Sequence, residues 1–317
     1  MPATSADVAR RAGVSRATVS QVLNGHADRF APETVEKVRT AASELEYQPS
    51  AAGRALRRGS SNVIIALLPD TTFGTNLQDL FEPMSEALAA HDYMLVLRTS
   101  TTVPGSFDRL VRSMRPAAIF SLSELTDAER EVVRRREVIA FAPADTPELD
   151  HNFEIGALQA RTILAHGYTR LAYAHLIDTR REVYGASREA GFRAVASEYR
   201  LDVRSIATEI DIDSAAAALA SLPDRGYGIA CYNDDVALSL LSGARSLGLT
   251  VPGDFGLMGM DNTRHAGIAL PRITTIEYDL AAAARHATDA LLHVLGGGNL
   301  TPEMMPTELT LVPGGTL

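Results

Sequence analysis

Residues 5–24 read SADVARRAGVSRATVSQVLN, and the two apolar stripes in this stretch, split by one glycine, leave few ways to fold it. Val8, Ala9 and Ala12 recur on one helical face, and Val19, Val22 and Leu23 on another. Between them Gly13 supplies the permissive backbone of a sharp turn, and Ser15 is a good cap for the helix that follows. Small Ala9 and Ala12 let two helices cross closely, as a helix-turn-helix requires. With the inner face used for packing, Arg16, Ala17, Ser20, Gln21 and Asn24 are left outward. Such a short, polar and basic face suits a DNA major groove. The alternative reading of the same stripes is a helical hairpin with a purely structural role.

The next residues extend the first reading. Pro32 can open a third helix at its first position, with Val35, Val38, Ala42 and Leu45 as its apolar seam. Three short helices predict a small all-α headpiece. A basic segment follows, Tyr47 to Gly59 (YQPSAAGRALRRG), too short to hold a core of its own.

Asp7 through Asn24 meet, with little deviation, the pattern Asp-Val-Ala-x-x-Ala-Gly-Val-Ser-x-x-Thr-Val-Ser-x-Val-Leu-Asn. Tyr47 and Pro49, with a short linker ending near Leu56, complete it. In these residues the chain resembles the LacI/GalR family of bacterial transcription regulators. The resemblance implies a helix-turn-helix headpiece over residues 1–48, a hinge over 49–60, and an effector-binding and dimerisation core over 61–317. That core would be an α/β, two-lobed, periplasmic-binding-protein-like unit with parallel sheets. Lobe one would hold about 61–149 plus 279–317 and lobe two about 150–278, the chain crossing between them three times.

Charge agrees once the chain is divided. The net charge of −9 looks wrong for a DNA binder, but residues 1–60 carry nine basic against six acidic side chains, so the remainder carries about −12. Only the headpiece and hinge have the footprint that phosphate binding needs. The acidic remainder would resist non-specific wrapping by DNA. Lys37 is the only lysine, a bias that codon composition explains.

Cys231 is the one cysteine, so no intramolecular disulfide can form. Its flanks, Gly228 to Tyr232, read as a buried strand. No apolar run approaches the roughly eighteen residues of a membrane span. Asp7 and two arginines stand where a secretory signal needs an apolar stretch, so a cytoplasmic location without membrane attachment is expected. A transport-type sugar-binding protein would share the two-lobed core, but it needs that signal and has no use for residues 1–60. An enzyme would need a catalytic constellation. The chain has no His-Glu-x-x-His, no Gly-x-Ser-x-Gly and no phosphate-loop Gly-Lys-Ser/Thr. His286 and His293, seven apart on one helix, read as a solvated or packed face. No catalytic residue, metal site or cofactor is expected.

From residue 61 short apolar runs alternate with amphipathic stretches. Runs 63–68, 93–97, 117–120, 138–141, 171–174, 228–231 and 255–260 read as strands. Leu77, Leu80, Phe81, Met84 and Leu88 form a helix stripe, and helices are expected near 154–166, 184–199, 233–247 and 279–295. The Ala-rich run 215–218 belongs to another helix. This alternation signals parallel sheets covered by helices. The last helix and a strand near 307–312 would return to lobe one.

Such a cleft binds ligands at the carboxyl ends of its strands. Arg188, ahead of Gly191-Phe192, matches the family's Arg-x-x-Gly-Phe motif, and a guanidinium fork suits hydroxyls or a carboxylate. Asp261 matches the family's ligand-binding aspartate, where a carboxylate can accept from vicinal hydroxyls. Asn233-Asp234 matches the family's Asn-Asp pair; either can serve as a helix cap, and we assign Asn233 to ligand and Asp234 to capping. Asp70, Phe73 and Asn76 follow the first strand, but Gly74-Thr75-Asn76-Leu77 replaces the family's Asn-Pro-Phe-Phe. Likewise Asn152-Phe153 ahead of Gly156 replaces its Asp-Asn. Phe73 or Phe153 can stack on a sugar or base face, with core packing as the alternative. The effector is expected to be a sugar or sugar derivative. A nucleoside or purine, or a degenerate pocket with no effector, stays open.

The resemblance further implies a homodimer on a pseudo-palindromic, double-stranded operator. Arg16, Ala17 and Gln21 would contact base edges, with Ser15, Thr18, Ser20 and Asn24 mostly positioning phosphates. Relatives usually carry Arg at the position of Gln21. Residues 50–58 would form a hinge helix on DNA, with Ser50 in place of the usual Asn, Arg54 beside the backbone, and Leu56 prying a base step apart in the minor groove. The chain stops at Leu317 without a heptad-bearing tail, so a dimer is expected.

Overall fold

The computed structural model describes residues 3–23, 27–45, 47, 60–69, 75–99, 103–142, 151–178, 182, 184–298 and 308–317. The headpiece contains α1 (Ser5–Ala12), α2 (Arg16–Val22), a 3-10 turn at Ala27–Arg29, and α3 (Pro32–Glu44). Thr4 and Asp7 cap α1 reciprocally, which satisfies two otherwise unpaired amides. Gly13 ends that helix at φ 68°, in the left-handed region that suits glycine. Ser15 caps α2 by accepting from the Thr18 amide at 3.0 Å. Val8, Ala9, Val19, Val22, Val38, Ala41 and Ala42 close one small core, edged by Ala12, Val14, Leu23, Val35, Leu45 and Tyr47. The expected stripes therefore face inward, with Ala41 added to the α3 seam.

The core begins with β1 (Val63–Leu68), α4 (Thr75–Ala89), β2 (Met94–Thr99), α5 (Ser106–Met114), β3 (Ala118–Ser121), α6 (Asp127–Arg136) and β4 (Ile139–Phe141). These strands form a sheet in the order β2-β1-β3-β4. The β1–β3 and β3–β4 pairs are parallel. Leu80, Phe81, Met84 and Leu88 of α4 pack on Ile64, Ala66, Leu68, Ala118 and Phe120.

Lobe two follows with α7 (His151–Ala165), β5 (Arg170–Leu176), α8 (Gly185–Glu198), β6 (Val203–Thr208), α9 (Ile212–Ala220), β7 (Tyr227–Cys231), α10 (Asp234–Ser246), β8 (Phe255–Met258) and the short α11 (Arg264–Ile268). Its sheet runs β6-β5-β7-β8, all parallel. Alternation along the strands splits the core. Ala172, Ala174, Ile229 and Cys231 meet α9 and α10 on one face. Leu171, Tyr173, Ala230 and Met258 meet α7 and α8 on the other. That two-sided cover is why these strands read as continuous apolar runs.

Then come β9 (Thr275–Tyr278), α12 (Leu280–Leu295) and β10 (Leu309–Val312). Helix α12 packs Ala284, Ala287, Ala290 and Leu291 into the same core as β1 and β3. The last strand does not follow it. β10 pairs antiparallel with β9, whose approach is bridged to the end of β8 through Met258 and Thr274. Buried Thr316 then hydrogen-bonds both ways with Leu257 and accepts from the Thr274 amide. Residues 309–317, expected on lobe one, thus lie beside lobe two, where β10 and β9 form a separate two-stranded sheet and Leu309 and Leu317 pack on the lobe-two core. Among the described residues no helix is long and apolar enough to cross a membrane.

Candidate functional sites

On the headpiece, α2 turns Val19 and Val22 inward and leaves Arg16, Ala17 and Gln21 exposed, with Thr18 and Ser20 half-buried. The Ser15 hydroxyl caps the helix and lies 2.9 Å from the Thr18 hydroxyl, so the two act as a pair. Exposed Arg11 on α1 reaches Glu44 on α3 at 2.7 Å, a contact that braces the bundle without using the α2 face. Asn24, Ser50, Arg54 and Leu56 lie outside the described residues, as do Asp70 and Phe73. Asn76 falls within α4.

The second site gathers at the carboxyl ends of β5, β7 and β8. Arg188, on the second turn of α8, is 6% exposed although charged. Its Nη1 donates to the Tyr232 carbonyl at 2.6 Å and its Nε to Asn152 Oδ1 at 3.1 Å. Its guanidinium carbon lies 4.9 Å from the centre of the Tyr232 ring and 5.6 Å from that of Tyr184. Two aromatic faces and two fixed acceptors thus hold a planar cation in one orientation. Tyr184 sits four residues earlier and donates across to the Leu122 carbonyl, just past β3 of lobe one, at 2.7 Å. Burial, helped by Tyr232 and opposed by Arg188, pushes its hydroxyl up to about 12, so it stays a donor.

Asp261 lies close enough to Tyr184 and Tyr232 to raise both. It and Asn262 adopt φ of 108° and 46°, a left-handed backbone that Asn and Asp tolerate better than other side-chain-bearing residues. Asp261 also borders a groove of about 530 Å³ between α4 and the α11 and β9–α12 region. That groove is acidic: Asp79, Glu82, Glu86, Glu277 and Asp279 line it with Asp261, against Arg264.

Asn233 takes the capping role expected of Asp234, and Asp234 binds neighbouring elements instead. Asn233 caps α10, its Oδ1 accepting from the Val236 amide at 3.0 Å. Asp234 is fully buried and accepts from Thr275 Oγ1 and the Thr263 amide, both at 2.6 Å. It ties α10 to β9 and α11, and burial pushes its carboxyl up to about 6. The strand simply ends one residue earlier than the Asn-Asp assignment assumed. Phe153, on the first turn of α7, is exposed and takes no part in a core; its neighbour Asn152 is the one that touches Arg188. Sequence reasoning passed over Tyr184 and Tyr232. The signal was there in part, since Tyr184 is one helical turn from Arg188 and Tyr232 is the last residue before the Asn233 cap.

Residues 4–50 match the family of bacterial regulatory proteins, lacI family, and residues 160–317 match the periplasmic binding protein-like domain. The HTH-type transcriptional repressor PurR of Vibrio parahaemolyticus serotype O3:K6 is 30% identical over 311 residues, covering 92% of this chain and 91% of that protein. Its counterpart in Vibrio vulnificus is 29% identical over the same shares. Among solved structures, the Lac repressor dimer bound to operator and the anti-inducer ONPF superposes with a TM-score of 0.78 at 19% identity, over 100% of this chain and 99% of that one. A complex of the transcriptional regulator CelR with cellobiose gives 0.68 at 22% identity, over 99% of each. These two show the fold. The exposed polar face of α2, the two-lobed parallel core and relatives that match it end to end make this chain a member of the lacI family of bacterial regulatory proteins, a DNA-binding transcriptional regulator and not an enzyme.

Proposed function

We propose that this protein is a repressor that binds a pseudo-palindromic operator as a homodimer and is switched by a small, neutral carbohydrate in the interlobe cleft. Arg16, Ala17 and Gln21 read base edges; Ser15, Thr18, Ser20 and Asn24 set the phosphate register; Ser50, Arg54 and Leu56 serve the hinge. Acting on DNA, it works inside the cell. The observation that carries the effector reading is the guanidinium of Arg188 held against Tyr232 and Tyr184, with Asp261 beside them. Aromatic faces stack on the C–H face of a sugar ring, while a carboxylate and a guanidinium divide its hydroxyls between acceptor and donor. The acidic groove bordering Asp261 repels phosphorylated ligands. That favours a neutral ligand over a sugar phosphate or nucleotide.

A second reading, a purine or nucleoside, is suggested by relatives named HTH-type transcriptional repressor PurR and uses the same aromatic faces. A thermal-shift screen of the full chain against neutral mono- and disaccharides, sugar phosphates, purine bases and nucleosides separates them. A ligand at a hundredfold its Kd adds about 2.7 kcal/mol of stability. Stabilisation by neutral sugars alone, lost in Arg188→Ala and Asp261→Ala, is the expected outcome. Stabilisation by purines alone overturns the carbohydrate reading, and a silent screen points to a pocket without an effector.

A further inference from the structure

Beside the Arg188 site lies a second charged cluster. His175, on β5, places Nδ1 2.7 Å from Glu182 Oε1 and Nε2 3.0 Å from Glu189 Oε2. A neutral imidazole has one N–H, so it can satisfy only one of these carboxylates; the imidazolium satisfies both. The Glu182 side chain is 4% exposed. Glu189 also accepts, through Oε1, from Arg193 at 2.9 Å and Ser205 at 2.6 Å. The remaining neighbours are Tyr173 on β5, its ring 4.7 Å from that of His175, and Arg188 and Tyr232, whose charges act on Tyr173 and on one another. Burial alone would lower the His175 value, but the hydrogen bond to Glu182, then the charges of Glu182 and Glu189, raise it above that of an ordinary histidine.

The cluster grips α8 at two points that flank the cleft residues. Glu182 lies against the first turn, where a Cβ on Gly185 would stand 2.5 Å from its Cγ. Tyr184, which bonds to lobe one, is between them in sequence. Glu189 directly follows Arg188.

We propose that His175 is a positioning residue of the effector cleft: as an imidazolium shared by Glu182 and Glu189 it fixes the first two turns of α8, and loss of its proton loosens Tyr184 and Arg188 and weakens effector binding. Because the folded-state value is raised, this contribution is complete below the ordinary histidine range and is lost as pH rises through the raised value. The effect on affinity rests on the reading of the cleft as an effector site; the effect on α8 does not.

The test is hydrogen exchange on the full-length protein from about pH 5.5 to about pH 9, corrected for intrinsic rates, with His175 followed by NMR. Protection of amides 188–192 is expected to fall several-fold as His175 deprotonates, while the α10 amides hold theirs. In His175→Gln the same amides should be weakly protected at every pH. Flat protection of 188–192 through the His175 titration overturns the proposal, as does a His175 that titrates at or below the ordinary value; neither needs the variant to fold. For a sugar found in the screen, affinity should fall over the same range, and a pH-independent affinity also overturns the proposal. A silent sugar screen with pH-dependent exchange strikes the effector reading and leaves the clamp on α8 standing.

Discussion

Gly156→Ala tests the packing that aims Arg188. Helices α7 and α8 cross where Gly156 meets the Arg188 backbone and Gly191 meets that of Phe153. A Cβ at Gly156 would lie 2.6 Å from the Arg188 carbonyl carbon and overlap its oxygen, whereas ordinary contact begins at 3.4 Å. The obstruction is main chain on both sides, so no rotamer relieves it, and the helices must part by about 1 Å in a close-packed interior. Overpacking costs about 1–3 kcal/mol, and a backbone clash belongs at the upper end, about 3 kcal/mol. For a core of this size each kcal/mol lowers Tm by about 2–4 °C, which gives a drop of roughly 6–12 °C. The same displacement stretches the Arg188 bonds to Tyr232 and Asn152, now 2.6 and 3.1 Å, so effector binding falls with stability. Urea unfolding by circular dichroism, with calorimetry for Tm, measures this variant beside a control, Gly267→Ala. Gly267 has nothing within 4 Å of its added Cβ and lies in a helix, so that change should be neutral or stabilising by up to about 1 kcal/mol. A loss below about 1 kcal/mol in Gly156→Ala, or an equal loss in the control, refutes the argument.

Tyr184→Phe deletes the hydrogen bond to the Leu122 carbonyl, worth about 1 kcal/mol net, and should lower the unfolding free energy by about that amount in urea titrations; unchanged stability would refute it. Burial lifts the Asp234 carboxyl to about 6 from an unfolded value of 3.8, so the proton favours the fold and the wild type loses stability as pH rises between those values. Relative to Asp234→Asn, that loss should be on the order of 3 kcal/mol; urea titrations at the two ends of the window that differ by a constant would contradict it. Gln21→Arg, on the exposed face of α2, should shift base preference from adenine toward guanine while keeping affinity, and selection from a random operator pool that recovers the same sites for both proteins would rule this out.

The headpiece was legible because its information is local. Val8 with Ala12, Val19 with Val22 and Val38 with Ala42 recur at helical spacing, Ser15 is a cap, and Gly13 is the one residue suited to the turn, so each choice can be made within a few residues. The alternating apolar runs of the core were equally plain, since strands covered on both faces carry few polar residues. Arg188 and Asp261 were proposed through motif resemblance, and the fold sets both near Tyr184 and Tyr232. What could not be read from the chain depended on contacts distant in sequence. Whether Asn233 or Asp234 caps α10 turned on Thr263 and Thr275, some thirty to forty residues later, which offer Asp234 two donors in a buried site. The placement of β10 turned on its pairing with β9, and the imidazolium of His175 on two glutamates that only the packing of α8 against β5 brings to both sides of one ring. Periodicity and caps are short-range physics and survive in one dimension; partner choice for a buried charge or a strand is settled only when the chain has folded.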